Sequence, residues 1–185
     1  GNHPAIFDAD VGWVPRPSHQ WKVHTNSEQG LRGKRIYPET AADPDLRILC
    51  LGDSFTFGYE VEDDQTFPHH GEQLRPDTEW INLGICGAGL TQALERYRKH
   101  GREFGGKYVV IGFMNNNVKR TVNSFRGFIS PGDTTPFAKP YAKMSDGVFS
   151  IEPNPYQELS DYQRLLDNEE EEIKRLYELD YFVWS

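Results

Sequence analysis

"RILCLGDSFTFG", residues 47–58, carries an apolar run straight into Gly-Asp-Ser. Ile48, Leu49, Cys50 and Leu51 follow one another without polar alternation, which is the pattern of a strand covered on both faces. Gly52 ends the run. The Asp53-Ser54 pair then has two readings: side-chain oxygens that cap a following helix, or a hydroxyl held out for chemistry.

Downstream, "TFPHHGEQLRP" offers Thr66 as an N-cap and Pro68 in the first turn, which predicts a short helix over 67–75. Gly71 shares its apolar stripe with Phe67 and Leu74. A glycine there costs about 1 kcal/mol of helix propensity relative to Ala, so close packing against a neighbour is expected. "EWINLGI" (79–85) reads as a second buried strand and "KYVVIGF" (107–113) as a third. Between them, "LTQALERYRKHGREF" (90–104) puts Leu90, Ala93, Leu94, Tyr97 and Phe104 on one helical face. Strand, helix, strand, helix, strand is the signature of an α/β fold with a parallel sheet covered on both faces and right-handed crossovers.

With 185 residues, 37% hydrophobic and 26% charged, the chain has the length and composition of one globular core with additions. Residues 1–44 contain five prolines and one alternating stretch, "QWKVHTN" (20–26), and read as an arm or small β elaboration preceding the α/β domain at 45–185. Regular patterning fails over 118–157, an irregular insertion or lid, apart from a hairpin about Asp146-Gly147 in "YAKMSDGVFSI". Helical spacing returns with Leu159, Tyr162, Leu166, Ile173, Leu176 and Tyr177. Glu169 to Glu172 read as a solvated face, and "DYFVWS" (180–185) as a fourth strand.

A net charge of −8 without any cluster of Lys and Arg argues against nucleic acid as a partner. No apolar run has the length to span a bilayer, and the first ten residues lack the pattern of a signal peptide. Cys50 and Cys86 read as free buried thiols. His69-His70 do not make a metal site, because adjacent helical side chains point about 100° apart.

Ligands of a parallel α/β sheet bind beyond the carboxyl ends of its strands, and three segments stand there: Ser54, "NLGICGAG" (82–89) and "MNNN" (114–117). Acyl transfer needs a nucleophile, donors for the oxyanion that develops on the carbonyl, and a base. Ser54 would supply the first. Its own backbone N–H, a glycine N–H in the second segment and an asparagine amide in the third would supply the second.

These three blocks resemble the SGNH or GDSL-type serine hydrolases, which carry Gly-Asp-Ser, Asn-x-x-x-x-Gly and Gly-x-Asn-Asp on successive strand ends. The matching residues are "GDSFTFG" (52–58), "NLGICG" (82–87) and "MNNN" (114–117), spaced as in compact members. The resemblance, over residues 8–118, implies a three-layer α/β/α, flavodoxin-like parallel sheet. It implies an esterase working through an acyl-enzyme on Ser54, with Gly87 and Asn116 as further oxyanion donors and no cofactor. "DADVGWVPRP" and "NSEQGLRG" resemble the lead-in of a bacterial subgroup linked to modifying surface or secreted polysaccharides. That likeness implies acetyl or other small acyl esters on carbohydrate as substrates and an extracytoplasmic location, and leaves the oligomeric state open.

Two features depart from the family. The third block reads Asn116-Asn117 where Asn-Asp is usual, with Asn115 where Gly is common. The Asp-x-x-His that supplies the family's base has no counterpart, since no histidine follows His100. Two explanations stay open: a further loop beyond Ser185 carries the pair, which is the expectation, or the activity is lost or served by His19, His24, His69 or His70. The competing function is a glycan-binding or assembly module that retains the pocket without the base. In either case Phe125, Phe128, Phe137 and Tyr141 could stack on sugar rings, although core packing is the commoner use of aromatics.

Overall fold

The computed structural model describes residues 3–132 and 137–180. It opens with two antiparallel ribbons, β1 (Ala5–Asp8) with β2 (Gly12–Pro15) and β3 (His19–Trp21) with β4 (His24–Asn26). The alternation in 20–26 is therefore two strands, not one. Lys22, at φ 53°, turns the chain between them. This segment shares the protein's core: Val11, Trp13 and Val14 pack with Ile85 and Ala88, while Leu31 and Tyr37 pack with Leu49, Leu51, Ile81 and Leu83.

The centre is a parallel sheet of β5 (Arg47–Leu51), β6 (Glu79–Asn82) and β7 (Tyr108–Ile111), in the order β6-β5-β7. Every residue of β5 is buried, including Arg47, whose guanidinium donates to Glu79 at 2.7 Å and to the carbonyls of Pro38 and Phe104. With helical segments joining the strands, the architecture is α/β.

A single turn, α1 (Ser54–Phe57), follows β5, and α2 (Phe67–Leu74) starts at Thr66, whose hydroxyl accepts from the His69 amide. Gly71 meets Trp80 so closely that a Cβ there would lie 2.5 Å from the indole ring. In α3 (Leu90–Arg96), which runs on through a π turn at Tyr97–Gly101, the buried face differs from the apolar one expected. Thr91, Gln92, Ala93 and Arg96 are buried, while Leu90, Leu94 and Tyr97 are only partly so. The reason is polar satisfaction: Gln92 donates to the Val11 carbonyl and Arg96 to that of Gly30, each at 2.9 Å.

Double coverage of the sheet does not extend to β7. Among the described residues it lies at the sheet edge, with Tyr108, Val109, Val110 and Ile111 all exposed. Past it, α4 (Asn116–Val122) occupies the start of the stretch read as irregular. The expected hairpin is present as β8 (Tyr141–Ser145) and β9 (Val148–Glu152), with Asp146 and Gly147 both at positive φ. The helical spacing resolves into α5 (Tyr162–Asp167) and α6 (Glu169–Leu179), broken at Asn168. Leu176 is buried with Phe125, Ala138 and Tyr156, but Leu159 and Leu166 are exposed. Glu172 is not on a solvated face: it is buried, and accepts from Arg175 at 2.6 Å. The expected strand at 180–185 lies, from 181 onward, outside the described residues. Among the described residues both cysteines are free and no helix is long and apolar enough to cross a membrane.

Candidate active site

The turn after β5 is built by its first two residues. Gly52 has φ 151°, and a Cβ on it would sit 2.2 Å from Thr56 Oγ1, so the close return of α1 onto the strand end excludes any side chain. Asp53 is the N-cap, its carboxylate accepting from the Phe55 amide at 3.0 Å. Ser54 therefore does not serve as the cap. It is the first residue of α1, half-buried, and its hydroxyl makes no hydrogen bond to a described residue.

The second loop is pinned to the first. The Leu83 amide donates to Cys50, the Ile85 amide to Gly52 at 3.0 Å, and the Asn82 side chain to the Thr56 carbonyl at 2.8 Å. Gly84 faces the Phe57 backbone, where a Cβ would come within 2.4 Å of the amide nitrogen. Gly87 stands at φ 77°. Its carbonyl accepts from Arg126, a Cβ would collide with that guanidinium, and its N–H donates to no described residue.

The third loop joins through the Gly112 amide, which donates to Leu51 at 2.8 Å. Here the asparagine turned inward is Asn117. Buried, it donates to the Asp53 carboxylate at 3.1 Å and to the Ala88 carbonyl at 3.0 Å, and accepts from the Met114 amide. Arg120, one turn further along α4, donates to the same Asp53 oxygen at 3.0 Å. Asn116 is exposed at the first residue of α4 and makes no side-chain hydrogen bond to a described residue.

Ser54 and Gly87 border one cavity of about 610 Å³, and Asn116 is not among its lining residues. The lining also takes Trp13, Trp21 and His24 from the N-terminal ribbons, His3 just ahead of them, and Phe57 and Tyr59. Arg120 and Arg126 bring guanidinium groups to the same space. Cys86 also reaches it, but burial pushes its thiol up to about 12, so it stands protonated and is a poor nucleophile at neutral pH.

Sequence reasoning missed Arg120 and Arg126. The spacing of Asn117 and Arg120, three apart and hence on one helical face, would have carried the signal had the helix at 116–122 been expected. Comparison with models of known protein families finds none that matches the chain, and comparison with curated proteins finds no match.

Proposed function

We propose that the protein is a serine hydrolase of the SGNH type, on a three-layer, flavodoxin-like α/β/α fold, that cleaves or transfers small acyl groups through an acyl-enzyme on Ser54. The observation that carries the reading is Ser54 and Gly87 on one cavity, their N–H groups donating to no described residue, with the serine hydroxyl released from capping by Asp53. In the step envisaged, Ser54 Oγ attacks an ester carbonyl and the oxyanion accepts hydrogen bonds from the Ser54 and Gly87 amides. Asn116, the third donor of the family pattern, lies outside the lining in the present conformation, so the two backbone amides carry the main load. Trp21 and Tyr59 in the lining suit the face of a sugar ring, which supports a carbohydrate ester as substrate.

A second reading rests on one observation: His24, which borders the cavity, hydrogen-bonds the Tyr59 backbone carbonyl and no carboxylate among the described residues. On this reading the cavity binds acylated glycan without cleaving it. Turnover of p-nitrophenyl acetate and release of acetate from acetylated oligosaccharides separate the two. The hydrolase reading expects turnover abolished by Ser54→Ala. Saturable oligosaccharide binding with turnover no faster than Ser54→Ala would replace it with the binding module.

A further inference from the structure

Four histidines stand open as bases by sequence, and their surroundings separate them. His69 and His70 lie on α2 and engage Gln73 at the surface. His19 does not border the Ser54 cavity, whereas His24 does. His3 also borders it, ahead of β1, with its Nδ1 3.0 Å from the Ala5 carbonyl oxygen.

His24 is 3% exposed on β4, its ring held by Phe57 at 5.3 Å, Tyr59 at 5.1 Å and Trp21 at 6.1 Å between centroids. Its Nε2 hydrogen-bonds the Tyr59 carbonyl. A carbonyl only accepts, so Nε2 carries the proton and the neutral ring keeps its free lone pair on Nδ1. No described residue hydrogen-bonds that Nδ1. The Tyr59 amide in turn donates to the Ser54 carbonyl at 3.0 Å, so the residue that orients the imidazole is tied to the residue that would need it.

We propose that His24 is the general base of this site, its Nδ1 taking the Ser54 proton across one water in the cavity they share. This rests on the serine-hydrolase reading. As Oγ bonds to the ester carbonyl carbon, its proton passes to Nδ1. The proton then goes to the leaving alcohol oxygen as the carbon–oxygen bond breaks, and water repeats the sequence to release the acid. The titratable groups around the ring are Lys22, Arg32 with its partner Asp63, Tyr59 and Glu62. Burial, aided by Arg32 and Lys22, outweighs the Tyr59 hydrogen bond and Glu62 and holds the ring below the ordinary histidine range, in its basic form at neutral pH.

The test is the rate of Ser54 labelling by a fluorophosphonate, followed across roughly pH 4.5 to 8 in the wild type and in His24→Gln. The glutamine keeps an amide donor for the Tyr59 carbonyl and removes the base. The wild-type rate should fall on acidification below the ordinary histidine value of about 6.5, and His24→Gln should label at least about 100-fold more slowly, without that limb. Equal rates in the two proteins overturn the inference and leave the serine reading standing. An unlabelled wild type overturns both. Should His24→Gln melt early, the wild-type profile decides alone: an acid limb supports the base, and a flat profile contradicts it.

Discussion

At Asp53 a single buried carboxylate serves three donors, the Phe55 amide, Asn117 and Arg120, and so ties the nucleophile turn to the third loop. Asp53→Ala removes the cap and strands two side chains, one of them charged, and is expected to cost about 3 kcal/mol. Urea unfolding measures it, and a change within about 0.5 kcal/mol would contradict the network. The asparagines divide the same way. Asn117→Ala is expected to cost about 2 kcal/mol, because it leaves the Met114 amide and Asp53 short of partners, whereas exposed Asn116→Ala changes stability by less than about 0.5. Equal effects in the same urea experiment would contradict the assignment of Asn117 as the inward residue. These roles were half legible. "GDS" announced a cap or a nucleophile, but Asp and Ser cap equally well, so only the backbone tells which oxygen reaches the helix amide. Three successive asparagines hide their phase for a similar reason, since the inward one depends on where α4 begins.

Among the elements, α4 is held at its far end by Lys139. Fully buried, its ammonium donates to the carbonyls of Arg120 and Asn123, where a cation complements the helix C-terminus. Burial, against the opposing pull of Asp180, lowers this lysine to about 7. An unfolded lysine keeps its proton to about 10.4, so between these values the unfolded chain binds more protons and stability rises with pH, by at most about 1.4 kcal/mol per unit. Unfolding free energies at about pH 7 and about pH 9 should show the rise in the wild type and lose it in Lys139→Met. A flat wild-type response would contradict the lowered proton affinity of Lys139. Strand and helix positions read well from periodicity here, as β5, β6, α2 and the β8-β9 turn show. Burial read less well where polar side chains satisfy distant backbone: nothing local to α3 announces that Gln92 will meet Val11 or Arg96 will meet Gly30.

For the whole molecule, the N-terminal ribbons form a wall of the candidate site and share the core, a long-range arrangement that local patterning cannot carry. The opposite consequence appears at β7, among the described residues an edge strand, whose Val109, Val110 and Ile111 are 41%, 37% and 57% exposed. Such an edge promotes association, while the net charge of −8 opposes it. Salt near 1 M screens charge beyond about 3 Å and should shift the balance toward association. Sedimentation velocity at rising protein concentration should then show self-association that Val110→Lys suppresses, and a wild type that stays monodisperse in high salt would contradict this account of the edge. Whether the loops after β5 and β6 make Ser54 an acyl-accepting nucleophile is read from mass spectrometry of the fluorophosphonate-treated chain. One adduct is expected, on the peptide containing Ser54 and absent from Ser54→Ala; an adduct elsewhere, or none, would overturn the serine nucleophile.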